Sequence, residues 1–163
     1  MDAATLQARL DAAGVRYFSA LEFLTLRRTN QLAELPNEYA DAAVRVLIAA
    51  DELRARYGGP VRVGNGYRPP GYNRAVGGAS NSAHLRGAAV DLDPLDGRRA
   101  EFQRLAARLW LDSPKTLAGL GVYSHGRIHL DVFHVRGAGR RFWGGPAKAR
   151  ARLVLRAARR GVA

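Results

Sequence analysis

Three of the four histidines in the chain, His125, His129 and His134, fall within ten residues, and the fourth, His84, precedes an aspartate by seven positions. Two imidazoles and a carboxylate, with a fourth position open to water, form a common hydrolytic zinc arrangement. His84 sits in Ser82-Ala83-His84-Leu85-Arg86-Gly87-Ala88-Ala89-Val90-Asp91. Gly87 permits a sharp reversal there, and small residues lead into a strand that carries Asp91, so one metal can meet both side chains. In Ile128-His129-Leu130-Asp131-Val132-Phe133, strand alternation puts His129 and Asp131 on one face and Ile128, Leu130 and Val132 on the other. His125 falls in a turn and His134 on the opposite strand face, which leaves both outside the ligand set. An isolated His-x-Asp pair is also an ordinary surface hydrogen bond, and a loop histidine is often satisfied by its neighbours. Ligand type alone also admits iron or manganese. The residue types reach a candidate metal site formed by His84, Asp91 and His129, and stop there.

Composition narrows the chemistry. A chain of 163 residues, 47% apolar and 25% charged, fits one soluble globular domain over residues 1–163 with a sizeable core. It has no cysteine, so disulfides, thiolate zinc sites and thiol nucleophiles are excluded together. The first residues, Met-Asp-Ala-Ala-Thr-Leu-Gln, lack the basic and apolar regions of a secretory signal. No run approaches the roughly 18 apolar residues of a membrane span. The expectation is a protein cytoplasmic at synthesis, which reaches an extracellular target only if released. The net charge is +12, and after Asp131 no acidic residue appears while Arg and Lys accumulate. That basic C-terminus suits an anionic cell wall or membrane surface, and equally a solvated helix face. No recognised DNA- or RNA-binding motif accompanies the charge, so specific nucleic-acid binding is not expected.

The elements that must position the candidate ligands follow from periodicity and punctuation. Residues 2–14 read as a helix with Leu6, Leu10 and Ala13 on one face and Gly14 as its stop. Ser19 and Glu22 have capping-box spacing, which starts a second short helix. A longer helix opens at Pro36-Asn37 and runs to about Tyr57, with Ala43, Val46, Leu47, Ala50 and Leu53 as its core stripe and Gly58-Gly59 as its end. Strands are predicted over Val61–Gly64, Ala88–Leu92, Ala118–Tyr123 and Arg127–Phe133, the last two joined by a Ser124-His125-Gly126 turn. Residues 69–82 read as an ordered loop, 97–110 as a helix, and about 146–160 as a basic helix. Helices first and strands in the middle predict an α+β fold with a small antiparallel sheet carrying the metal site.

The pattern Ser82-x-His84-x-x-Gly87-x-Ala89-x-Asp91 resembles, position by position, the signature of the zinc D-Ala-D-Ala peptidases. That superfamily also holds murein endopeptidases, phage endolysins and the zinc-bearing hedgehog signalling domain. The resemblance extends to Gly66-Tyr67-Arg68-Pro69, Tyr72-Asn73 with Gly77-Gly78, Gly119-x-Gly121-Val122-Tyr123 before Ile128-His129-Leu130-Asp131, and Phe18 with Glu22-Phe23. It covers about residues 17 to 143.

The resemblance implies one zinc ion on His84, Asp91 and His129, and hydrolysis of peptidoglycan stem peptides by a metal-activated water. The enzyme would be a carboxypeptidase or a cross-link endopeptidase. A non-catalytic zinc-containing binding or structural module on the same fold is the alternative. Arg68 resembles the arginine that stabilises the reacting carbonyl or holds substrate, and Tyr67, Asn73 and Ser82 fall with it in the substrate-binding segments; Ser82 alternatively caps its turn. Relatives often carry the general base three residues before the last histidine, where this chain has Gly126. Asp131 then becomes the general base or the group that orients the metal site. Two further departures are Asn65, where serine is frequent, and Phe133, where a small residue is usual and a phenyl ring would narrow the cleft.

Overall fold

A computed structural model describes residues 1–134, 139–144 and 148–160 of the chain. Its centre is a five-stranded sheet: β3 (Val61–Asn65), β4 (Ala89–Pro94), β6 (Ile128–Asp131), β5 (Gly119–Val122) and β7 (Arg141–Trp143), in that spatial order. A separate two-residue hairpin pairs β1 (Thr25–Leu26) with β2 (Gln31–Leu32). The helices are α1 (Ala3–Ala12), α2 (Ala20–Leu24), α3 (Ala40–Tyr57), α4 (Pro70–Ala75), α5 (Arg99–Asp112) and α6 (Lys148–Arg159). The class is α+β, as the order of elements predicts. No described helix is long and apolar enough to cross a membrane.

Alternation divides the sheet into two chemically different faces. Val90, Leu92, Leu120, Val122, Ile128 and Leu130 are buried on one face, which packs against α3 and α5. The predicted stripe of α3 is fully buried, and its Val46, Leu47 and Leu53 side chains contribute roughly 1.5–3 kcal/mol each of hydrophobic stabilisation. The other face carries Asp91, Asp93, His129 and Asp131, all buried. Buried polar groups cost stability unless partnered, so this face must be held together by hydrogen bonds and charge. Register aligns them: Asp91 lies opposite His129, and Ala89 opposite Asp131. On the far side of β6, Gly121 lies opposite His129 and Gly119 opposite Asp131.

Several local expectations hold and several change. Ser19 and Glu22 form the capping box of α2, and Gly58 ends α3 in the left-handed conformation with φ 66°. Ala13, expected on one face with Leu6 and Leu10, is exposed at the C-cap of α1, whereas those two are buried. The segment expected to be loop from 69 to 82 contains α4. Its Pro70 occupies the first turn, where a preset φ favours the helix and the missing N–H costs nothing, and six residues are too few to show a period. The sheet is not wholly antiparallel, because β7 joins the edge parallel to β5. The basic C-terminal helix is present as α6; its expected start at Pro146 lies outside the described residues. Val154 and Ala158 are buried on α6, whereas Arg152, Arg156, Arg159 and Arg160 are exposed.

Gly119 is a packing requirement of the polar face. A Cβ there would fall 2.1 Å from Asp131 Oδ2, whereas one on Gly71 in α4 would meet nothing within 4 Å. Gly119→Ala should therefore cost about 1–3 kcal/mol in urea unfolding. Gly71→Ala should be neutral or stabilising by up to about 1 kcal/mol. Equal midpoints for Gly119→Ala and the parent would refute the close packing.

Candidate metal centre

Each prospective ligand arrives on a different piece of backbone. His84 rides on a 3-10 turn, Ala83–Arg86, that ends at Gly87 with φ 60°. A Cβ at Gly87 would press on Leu35 at 3.0 Å in a conformation costly for other residues. Asp91 and His129 face each other across β4 and β6. The three side chains are 1%, 8% and 8% exposed as residues, so water cannot solvate their polar atoms freely.

The hydrogen bonds fix which atoms remain free. His84 Nδ1 lies 2.7 Å from the Gly66 carbonyl. A carbonyl only accepts, so Nδ1 carries the proton and Nε2 presents a lone pair. His129 Nε2 lies 3.2 Å from Asp131 Oδ2, which accepts its N–H and turns Nδ1 toward the other two groups. His84 Nε2, His129 Nδ1 and Asp91 Oδ1 then converge, with separations of 3.1 Å between the nitrogens, 3.0 Å from His129 to Asp91 and 3.3 Å from His84 to Asp91. Zinc bonds of about 2.0–2.2 Å in a tetrahedron place neighbouring ligand atoms about 3.3–3.6 Å apart. The observed trio is that spacing, slightly contracted. The donor set therefore fits a zinc ion, and His84, Asp91 and His129 can hold one.

Without a metal, the electrostatics substitute a proton. Burial lowers the His84 pKa and outweighs the attraction of Asp91, which keeps that ring neutral. Burial also acts against charge on His129, but the hydrogen bonds to Asp131 and Asp91 outweigh it and raise its pKa to about 8. Burial pushes Asp91 upward, yet His84 and His129 hold its carboxyl well below the usual range.

The surrounding groups brace this trio. Asp131, 1% exposed, accepts at Oδ1 from Arg141 Nη2 at 2.7 Å and from the Phe133 N–H at 3.0 Å. Asn65 Nδ2 donates to Asp91 Oδ2 at 3.1 Å, a bond that a shorter serine would not make in the same way. Trp143 lies over Gly121, where a Cβ would fall 2.6 Å from the indole, and its ring centroid is 5.1 Å from that of His129.

A cleft of about 410 Å³ opens over the trio. Of the residues singled out from sequence, Arg68, Ser82, His84, Asp91, His129 and Asp131 line it. Burial lowers the Arg68 pKa against the pull of Asp91; Nε is buried with no hydrogen-bond partner, and the guanidinium makes no ion pair among the described residues. Ser82 precedes the turn without capping it through its side chain. Tyr67 and Asn73 are not brought to the cleft. Tyr67 is in the core, its ring 6.5 Å from Tyr39, and Asn73 is buried with Nδ2 donating to the Ala79 carbonyl at 3.0 Å. Both side chains are buried and neither lines the cleft. Phe133 does not narrow the cleft either, because its ring packs under the Arg86 guanidinium at 4.6 Å.

His125 lies exposed at the rim, and His134 lies beyond the end of β6 with Nε2 3.3 Å from the Thr116 carbonyl. Tyr123, Arg127, Arg141 and Trp143 also line the cleft. Strand alternation already puts Arg127 on the face of His129 and Asp131, and Tyr123 closes the preceding expected strand. The sequence context of Arg141 and Trp143 offers no signal, since β7 is three residues long and its pairing with β5 is non-local.

The comparison with protein families agrees with this geometry. The family described as Peptidase M15 matches residues 17–131, more than half of the chain, and the chain belongs to that family. It is a zinc metallopeptidase family of the D-Ala-D-Ala carboxypeptidase type. No curated protein matches the chain.

Because His129 holds a proton up to about pH 8 in the metal-free protein, metal must displace that proton to reach Nδ1. His84 is already neutral and Asp91 already ionised. Competition with a chromophoric chelator should show zinc affinity rising about tenfold per pH unit between pH 6.5 and 8, then flattening. An affinity independent of pH over that interval would contradict the protonation scheme.

Proposed function

We propose that the chain is a zinc-dependent peptidase that hydrolyses peptidoglycan stem peptides, as a D-Ala-D-Ala carboxypeptidase or murein endopeptidase. The observation that carries this reading is the pairing of a convergent ligand trio with an uncommitted guanidinium, that of Arg68, on one open cleft. A purely structural zinc site is normally closed by a fourth protein ligand. Membership of the M15 family supports the substrate class.

His84, Asp91 and His129 would hold one zinc ion. When bound, zinc acidifies a water to a pKa near 7 and polarises the scissile carbonyl. Arg68, which lines the same cleft and makes no ion pair among the described residues, would supply the cation for the oxygen that becomes anionic during attack. Ser82, free of a capping bond, borders the path of the peptide. Asp131 has both oxygens engaged, with His129 at one and Arg141 and the Phe133 N–H at the other. That favours Asp131 as a positioning residue, which fixes the His129 ring, over its role as general base. His125 and Tyr123 border the same cleft, and neither side chain makes a hydrogen bond among the described residues.

The exposed arginines of α6 would favour contact with an anionic wall or membrane surface. Action on the wall requires release of the protein by lysis or export. A purely structural module on the same fold leaves the uncommitted Arg68 without a purpose.

Purified protein loaded with zinc should release D-alanine from a D-Ala-D-Ala-terminated peptide or cut cross-linked peptidoglycan. Arg68→Gln should lower kcat/KM by about 100- to 1000-fold with zinc content retained. Asp131→Asn should weaken zinc binding about 10- to 100-fold. Full zinc occupancy with neither substrate cleaved would favour the binding module.

A further inference from the structure

A second hollow of about 270 Å³ adjoins the metal cleft and is lined by Arg27, Arg62, Gly64, Asn65, Asp93 and Arg127. Arg127 lines both spaces. Asn65 joins them too, since its amide donates to Asp91 Oδ2 at 3.1 Å. Asp91 and Asp93 are two residues apart on β4 and share a face, so the hollow lies about 7 Å along the strand from the metal ligand.

Charge in this hollow is unbalanced: three guanidiniums meet one carboxylate. Asp93 accepts from Arg127 Nε and Nη2 at 2.8 Å each, and Arg62 Nη2 stands farther off at 3.4 Å. Arg27 Nη2 donates to the Val63 carbonyl. Among the described residues, the remaining N–H groups of Arg27 and Arg62 have no partner of opposite charge, and arginine cannot shed its proton to relieve the repulsion. The Arg62 side chain is 52% exposed, so an incoming group can reach it. Gly64 keeps the floor open, because a Cβ there would fall 2.9 Å from both Arg127 Nη2 and Asp93 Oδ2.

We infer that this hollow is an anion subsite that takes a carboxylate carried by the peptide substrate about two residues from the bond being cut. The inference rests on the peptidase reading above. Forked N–H donors match a planar carboxylate, and charge-assisted bonds of this kind are the stronger class. The distance along β4 matches about two residues of extended peptide. Arg127, clamped by Asp93, forms the wall across which the substrate backbone would pass from cleft to subsite.

The test compares two stem peptides that are identical except that internal carboxylates within two residues of the cleaved bond are free in one and carboxamides in the other. Cleavage kinetics and calorimetric binding to the zinc-loaded protein are measured for both. The free-carboxylate peptide should be favoured about ten- to hundredfold, mainly through KM and Kd. The double variant Arg27→Gln/Arg62→Gln should reduce that ratio to within about twofold, Arg27→Lys/Arg62→Lys should restore part of it, and Arg45→Gln, on the exposed side of α3, should keep it. A wild-type ratio near one, or a ratio that survives in the glutamine variant or falls equally with Arg45→Gln, would overturn the subsite. Carboxylate-dependent binding without cleavage would uphold the subsite while refuting the peptidase reading. Cleavage without discrimination would do the reverse.

Discussion

Three lone pairs aimed at one point, with no permanent donor among them, are the constraint on which the polar half of this protein depends. His84 Nε2 is left bare because Nδ1–H donates to the Gly66 carbonyl, and His129 Nδ1 is directed inward because Nε2–H donates to Asp131. Asp91 adds a carboxylate kept ionised by the two rings beside it. In the metal-free protein one proton on His129 bridges these acceptors; a dication would satisfy all three. A cation held there would relieve the cost of three buried acceptors facing one another, and would couple the stability of this face to metal.

The rest of the sheet serves that convergence. β4 and β6 bring Asp91 and His129 opposite each other, and their alternate residues anchor the same strands in the core. Glycines on β5 make room for Asp131 and for Trp143. Arg141 reaches from β7 to pin the aspartate that orients His129. The chain also sorts its arginines by environment: Arg141 and Arg127 are held by carboxylates, while Arg68 is left without one beside the ligands. Arg68 is costly to bury and therefore a poor structural choice, which is why its position on the cleft bears on function.

Much of this was legible in residue order. The ligand trio follows from a ten-residue signature and from strand alternation, and α3 and its glycine stop follow from a strong 3.6-residue period. Excluding His125 and His134 from the trio agrees with their exposure. What could not be read was non-local. Nothing near Arg141 or Trp143 signals that β7 will dock parallel to β5 and complete the site. Tyr67 and Asn73 sit beside residues that line the cleft, but the backbone turns their side chains into the core and the loop. Neighbourhood in sequence fixes neither direction. The engagement of both Asp131 oxygens is a matter of side-chain distances, which periodicity does not encode.

The most direct measurement is anomalous diffraction at the zinc edge from crystals of the zinc-loaded protein. The account predicts one peak, about 2.0–2.2 Å from His84 Nε2, His129 Nδ1 and an Asp91 oxygen, with Asp131 bonded to His129 and outside the ligand set. A peak held by His129 Nε2, or by His125 or His134 in place of the trio, would contradict it.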